Sequence, residues 1–428
     1  MKSAFQRKRN LLMIEDWRYY AIVAEAFFVA LSPWLASFAA IAGVVLWLVQ
    51  MKMDEDLHFR RLPYDNYVLA FAIISGASVI SSPNPALSFY NYYNLVGIYM
   101  ATYLLAGQTV RNETQLRHVV EALTLGAVIV VAYGFFQYFF GIDESNIKWV
   151  DPEAFPELKK RVFSTWENPN ILAGYLDEVI AMAIAFLVTM KEKSTRIAIG
   201  TFIVCLAACL AMTYARGAVF SLVIVVFLYG VLRDWRVLVG LVVLCGAAFM
   251  IDPVLAERIA SVFTGLDTSS EMRLAIWEST GDMILDHPFL GIGWGSYLSV
   301  YPEYDFYIND LSVKIYHAHN MYLNYAAEIG LFGAASFMWN LFGTMWRSFR
   351  RSLTDDVPFM RAFHLGTVMA LATIAIGGIT DFVLFNIPTS MLFWMMCALS
   401  HAEPDDTTMT KHDILKEALQ QGMIEEKK

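Results

Sequence analysis

Charge is what this sequence has least of. Asp, Glu, Lys and Arg make up 17% of its 428 residues, against about 25% in ordinary soluble domains, which need charge to cover their surface. That shortage argues against a cytosolic enzyme, a nucleic-acid binder and a disordered chain. Cysteine is scarce too. Cys205, Cys209, Cys245 and Cys397 all sit in apolar runs, where a thiol behaves as a small hydrophobe. No Cys-x-x-Cys pair exists, so neither a zinc motif nor a disulfide framework is indicated. Internal repeats and low-complexity tracts are missing as well.

What is present is apolar. Hydrophobic residues reach 57%, with 30 Phe, 21 Tyr and 11 Trp, and the mean hydropathy is +0.48. About twenty apolar residues span a bilayer as a helix. Runs of that kind fall at 19–33, 35–51, 67–81, 89–107, 119–140, 171–190, 197–213, 217–232, 237–251, 321–346, 362–380 and 384–400. The expected fold is an all-α, polytopic membrane protein of about twelve helices. Its divisions are a bundle over 1–251 with an outer loop at 141–170, a second outer region at 252–320, a bundle over 321–400 and a tail at 401–428. The basic start leads into no small-residue cleavage site, so Met1–Tyr20 reads as an anchor. With both termini inside, only Lys148, Lys159, Lys160, Arg161, Arg216, Arg258, Arg273 and Lys314 of the 31 Lys and Arg residues lie outside. The positive-inside rule supports that orientation.

The outer arginines are the exceptions to the charge sorting. Arg161 opens Arg-Val-Phe-Ser-Thr-Trp-Glu-Asn-Pro-Asn170, Arg216 sits in the turn Tyr-Ala-Arg-Gly, and Arg273 lies in an amphipathic stretch. A guanidinium is always charged and forks onto phosphate through two hydrogen bonds, so three at headgroup level suit a lipid-linked phosphate. Snorkelling to ordinary headgroups is the plain alternative. In His317-Ala-His319-Asn320, continued by Asn324 and Glu328, the i, i+4, i+8 spacing makes a polar stripe entering a helix. His319 at its mouth can take a proton from a sugar hydroxyl at neutral pH. A capping role for Asn320 beside a structural histidine is the alternative.

Other features carry less. The glycines of His287-Pro-Phe-Leu-Gly-Ile-Gly-Trp-Gly295 lack the Lys-Ser/Thr of a phosphate loop and read as a bend allowing close backbone approach. Asp54-Glu55-Asp56 lies beside Arg60 and Arg61 on the inner side, which argues against a metal role. Trp294, Tyr297, Tyr301, Tyr304 and Tyr307 read as an interfacial aromatic belt, with sugar stacking as the alternative. Glu25, Glu178 and Asp381 read as intramembrane acids, which keeps a secondary transporter in view.

Four of these stretches, in order over about 161–333, resemble the O-antigen ligase and polymerase superfamily of bacterial envelope enzymes. The stretches are Arg161 with Asn168-Pro-Asn170, the Tyr-Ala-Arg-Gly turn, the His-Pro-Phe-Leu-Gly run, and Ala318-His-Asn320 with Glu328-Ile-Gly330. The turn has Ala where many members have Ser. The resemblance implies a GT-C-like glycosyltransferase of the inner membrane, with a periplasmic active site. It implies an undecaprenyl-diphosphate-linked glycan as donor and lipid A-core or another lipid-linked glycan as acceptor. Arg161 and Arg216 match arginines that hold the donor diphosphate, His319 matches the histidine at the acceptor hydroxyl, and Arg273 matches less closely. Asn170, Asn320 and Asn324 are the further candidate substrate contacts. No metal, nucleotide, cofactor or nucleic acid is expected. Transfer to lipid A-core leads, joining of repeat units is second, and transfer to a protein is third.

Overall fold

The computed structural model describes residues 2–54, 57–141, 161–166, 168–256, 268–305 and 314–404. Glu55, Asp56, Lys148, Lys159, Lys160, Arg258, Tyr307 and the tail from 405 onward lie outside the described residues. Among the described residues, the longer helices are α1 (Lys2–Phe28), α2 (Pro33–Met53), α3 (Asp65–Ser78), α4 (Pro85–Thr109), α5 (Glu113–Phe140), α6 (Pro169–Thr189), α7 (Lys193–Thr213), α8 (Arg216–Leu232), α9 (Trp235–Ile251), α10 (Thr268–Asp286), α11 (Met321–Thr354), α12 (Pro358–Gly377) and α13 (Ile387–Leu399). Among the described residues there is no strand, only an isolated bridge between Asn112 and Glu403.

The helix starts follow from local chemistry. Ser32, Asn84 and Asn168 each accept a backbone N–H from the first turn that follows, and each is followed by Pro at the first helical position. Proline fits there because its missing N–H would have no helical partner anyway. The Ser32-Pro33 break thus ends one helix and begins the next. Asn168-Pro169 does the same for α6, leaving the Asn170 side chain free of capping duty.

Helices α2, α5, α6, α7 and α12 are long and apolar enough to cross a membrane, and α8, α9, α13 and the α3 region are apolar but shorter. Helices also occupy the other stretches read from the sequence as spans. No residue of α9 is buried, although it is made almost wholly of apolar residues. Trp34, Phe38, Val242 and Met250 are likewise exposed. So much apolar surface would be untenable in water and is ordinary against lipid. This is an all-α membrane protein. Inside, α12 packs along α6, α8 and α11, while α4 packs on α13 and α3 on α11. Phe71 sits at the centre, 5.3–6.0 Å from the rings of Trp294, Tyr325, Phe337 and Trp394.

One helix does not run as its sequence suggests. The stretch expected as a single span from 321 is broken at Gly330, which has φ 71° and ψ 172°. Into the break comes the glycine loop. Ile292 N–H donates to Ala327 O at 2.8 Å, Gly293 N–H to Glu328 O at 3.1 Å, and Leu331 N–H to Pro288 O at 2.9 Å. The loop and the broken helix therefore satisfy each other's backbone, which burial in an apolar surrounding requires. On its far side the loop is gripped by α3 and α4: Trp294 N–H donates to Ser78 Oγ, and Ser88 Oγ donates to Trp294 O at 2.7 Å.

A Cβ at Gly330 would lie 2.1 Å from Phe289 O, and the residue's φ is unfavourable for any L side chain. Gly330→Ala is expected to lower stability by at least about 2 kcal/mol. Gly174→Ala, whose Cβ would meet open space in α6, is expected to be neutral or slightly stabilising. Thermal melts of the two detergent-solubilised variants, followed by size-exclusion chromatography, check the contrast.

Candidate active site

The first half of the site is built on Arg161. Its side chain is 8% exposed. Nε donates to Thr213 O at 2.7 Å and a terminal nitrogen donates to Asn170 Oδ1 at 2.6 Å. Val162 N–H donates to Met212 O, so the loop lies across the end of α7. Thr213 opens the turn that carries Arg216. That turn is forced by Tyr214, which takes the left-handed conformation at φ 53° and donates its hydroxyl to Asp252. Arg216 is then the first residue of α8 and is half-buried. Arg161 and Asn170 are thus tied to the turn that leads into Arg216.

The second half is built on His319. Its backbone is left-handed, at φ 46°, an uncommon state for a residue that is not glycine. The surroundings impose it. Ala318 donates its N–H to Asn324 Oδ1 and accepts from the Trp277 indole, both at 3.0 Å. Asn320 caps α11 by accepting from the N–H groups of Tyr322 and Leu323, and its amide donates to Ile379 O at 2.9 Å. Met321 N–H donates to Gly378 O at 2.7 Å. Asn320 and Asn324 are therefore both engaged by the fold, and they fix where His319 sits. Glu328, the third member of the stripe, lies under the backbone N–H of Tyr297 and is 7% exposed.

Asp381, read as an intramembrane acid, lies in the turn between α12 and α13, with Oδ1 3.3 Å from His319 Nδ1 and accepting Phe382 N–H at 2.8 Å. Burial raises the Asp381 carboxyl, but the hydrogen bond from His319 and the charges of His319, His317 and Arg273 outweigh it and hold the pKa at about 2. His317, its ring 4.3 Å from that of His319, is pulled down to about 4 by burial, by His319 and by Arg273, against the opposing pull of Asp381. Arg273 reaches this cluster because Trp277, one turn along α10, is bonded to Ala318.

The two halves adjoin. A Cβ at Gly217, next to Arg216, would lie 3.7 Å from Thr380 Oγ1, next to Asp381. The turn that Arg161 holds and that presents Arg216 therefore lies beside the loop of the histidine–carboxylate pair, whose Asp381 also feels the charge of Arg273. Trp294, Tyr297 and Tyr301 do not join it. They are 5%, 0% and 3% exposed; Trp294 packs in the main core against Phe71, and Tyr297 and Tyr301 pack in a smaller core with Ile276 and Met283, so the expected aromatic belt does not hold for them. Gln137 was not singled out by sequence. Its Oε1 accepts the N–H groups of Ser164 at 2.7 Å and Phe163 at 3.3 Å, while Nε2 donates to Ser164 O at 3.2 Å. One amide within α5 thus holds the loop that carries Arg161. A polar side chain in an apolar helix was the available signal.

The sequence model of the O-antigen ligase family matches residues 201–338. That range includes Arg216, Arg273 and His319, with Arg161 before it and Asp381 beyond it. The match supports the O-antigen ligase-like superfamily to which the motifs pointed. No curated protein matches the chain.

The low pKa of His317 has a stability consequence with a definite sign. Below about pH 6.5 the unfolded chain binds a proton that the folded chain refuses. Stability present above that pH is therefore lost as pH falls toward 4. Melting temperatures between pH 7 and pH 4 are expected to fall more steeply for the wild type than for His317→Gln.

Proposed function

We propose that this chain is a glycosyltransferase of the bacterial inner membrane that moves a glycan from undecaprenyl diphosphate to a sugar hydroxyl of lipid A-core. The observation that supports this reading is that the turn held by Arg161 and opening into Arg216 adjoins the loop of the His319–Asp381 pair, with Arg273 acting on Asp381 from a third side. In this reading about twelve helices cross the membrane, both termini are cytoplasmic, and the site faces the periplasm. The charge sorting of the loops supports that sidedness.

The chemistry follows from the charges. A glycosyl diphosphate brings its own leaving group, so neither a nucleotide nor a redox cofactor is called for. The acceptor oxygen forms a bond to the anomeric carbon as the bond to the diphosphate oxygen breaks, and the electron pair leaves with undecaprenyl diphosphate. Negative charge grows there during bond breaking, and arginines already in place stabilise it most in the transition state. The proton of the acceptor hydroxyl passes to His319. Asp381, a carboxylate at neutral pH, faces Nδ1 of that ring. It favours the tautomer with Nδ1 protonated and leaves Nε2 to accept. Asp381 also stabilises the imidazolium once the proton arrives.

The contact of Asp381 with His319 gives that acid a role in the transferase site and so weighs against the secondary-transporter reading. Of the others, Glu25 accepts a hydrogen bond from Thr102 at 2.5 Å.

The test is transfer in nanodiscs from undecaprenyl-diphosphate glycan, with lipid A-core and lipid-linked repeat units offered separately. Transfer to lipid A-core is expected. His319→Ala should slow it about 10²–10⁴-fold, and Arg216→Gln should depress it as well, with folding intact. Chain growth on lipid-linked units alone would make the protein the polymerase. Full activity in His319→Ala would refute the site. In the same assay Gln137→Leu is expected to raise the donor KM while leaving the acceptor KM near wild type, because it frees the loop that carries Arg161.

A further inference from the structure

His317, His319 and Asp381 have a second property besides acid–base chemistry. One ligand-capable atom from each lies within 4.8 Å of the other two, and among the described residues this is the one group of His, Cys and carboxylate side chains so placed. The separation of His319 Nδ1 from Asp381 Oδ1, at 3.3 Å, is long for a charge-assisted hydrogen bond, which prefers about 2.7–2.9 Å. It is close to the edge of a tetrahedron around zinc, where bonds of about 2.0–2.1 Å place neighbouring ligands roughly 3.3 Å apart.

We propose that His317, His319 and Asp381 form a site for a divalent transition-metal ion of the zinc type, with a fourth position open to water. Two imidazoles and one carboxylate are a donor set suited to zinc or cobalt, whereas magnesium and calcium prefer oxygen ligands alone. The ligands are held in place before any ion arrives. Asp381 Oδ1 accepts Phe382 N–H, and the His317 ring lies 4.7 Å from the ring of Phe385 and 6.0 Å from that of Phe382. Ala318, between the two histidines, is bonded through both its N–H and its carbonyl. Outer contacts of this kind fix ligand orientation in metal sites.

Two features oppose the ion and set the affinity below that of a structural zinc site. Arg273 is near enough for its charge to act on His317 and Asp381. His317 Nδ1 accepts His319 N–H at 3.2 Å, a bond lost if the metal takes that atom. The functional consequence rests on the glycosyltransferase reading. A lone pair of His319 given to a metal, or a ring fixed in the wrong tautomer by it, cannot take the acceptor's proton. Occupancy therefore holds the enzyme off, and chelation restores it.

The experiment uses the full chain in nanodiscs, stripped with chelator and titrated with Co²⁺, whose visible absorption reports tetrahedral nitrogen and oxygen ligation. The expected result is saturable binding of one ion per chain, displaced by Zn²⁺ and not by Mg²⁺. Asp381→Asn and His317→Gln should each weaken it about tenfold or more. His287→Gln, which alters another outer histidine, should leave it unchanged and serves as the folded control. Absence of saturable binding to the wild-type chain would overturn the proposal, as would binding that survives both substitutions or is lost equally in the control. Binding is read on the resting protein, so its failure is separate from any failure of glycan transfer. A parallel transfer assay should lose activity on Zn²⁺ addition and recover it with chelator.

Discussion

Gly330 is where α11 gives up its own hydrogen-bond ladder so that another piece of backbone can be joined to it. An α-helix in an apolar surrounding cannot be broken unless the freed groups find partners. Here the loop from Pro288 to Gly293 supplies them, and in return the helix supplies carbonyls to the loop. A side chain at either Gly291 or Gly330 would collide with the facing backbone. Much of the His319 neighbourhood hangs on this joint. It fixes the short segment Met321–Ile329, which carries Asn324 and is capped by Asn320 at the end where His319 sits.

From this joint the site is assembled by side chains that bind backbone. Asn320, Asn324 and Trp277 hold the His319 turn, and Gln137 and Arg161 tie the Arg161 loop to α5 and α7. The Tyr214 hydroxyl locks the turn that starts α8 onto the end of α9. Each contact is worth only about 1 kcal/mol on its own. Together they over-determine two left-handed residues, Tyr214 and His319, that isolated chains would avoid. Strain of this kind persists only where the neighbourhood enforces it. That makes the arrangement preorganised, as the proposed stabilisation of a leaving diphosphate requires.

Much of this was legible in the sequence, for reasons that can be given. The helices were, because apolar runs are set by bilayer thickness and their starts by Ser/Asn-Pro pairs. The turns that carry Arg216 and His319 lie where the sequence motifs pointed, with Tyr214 and His319 in the left-handed conformation. The pairing of Asp381 with His319 was not legible, because the two are 62 residues apart in the chain. The burial of Trp294, Tyr297 and Tyr301 was not legible either, since amphipathic aromatics read the same at an interface and in a core. The partners of Asn320, Asn324 and Gln137 come from segments distant in sequence, so spacing showed polar residues but not what they bind.

The central claim is that three outer arginines and the His319–Asp381 pair act on one substrate. A structure of the chain in nanodiscs with a lipid-linked glycosyl diphosphate bound tests it most directly. The account predicts diphosphate oxygens against Arg161 and Arg216, with the anomeric carbon facing the open nitrogen of His319. A diphosphate seated elsewhere on the protein, with His319 and Asp381 out of its reach, would contradict it.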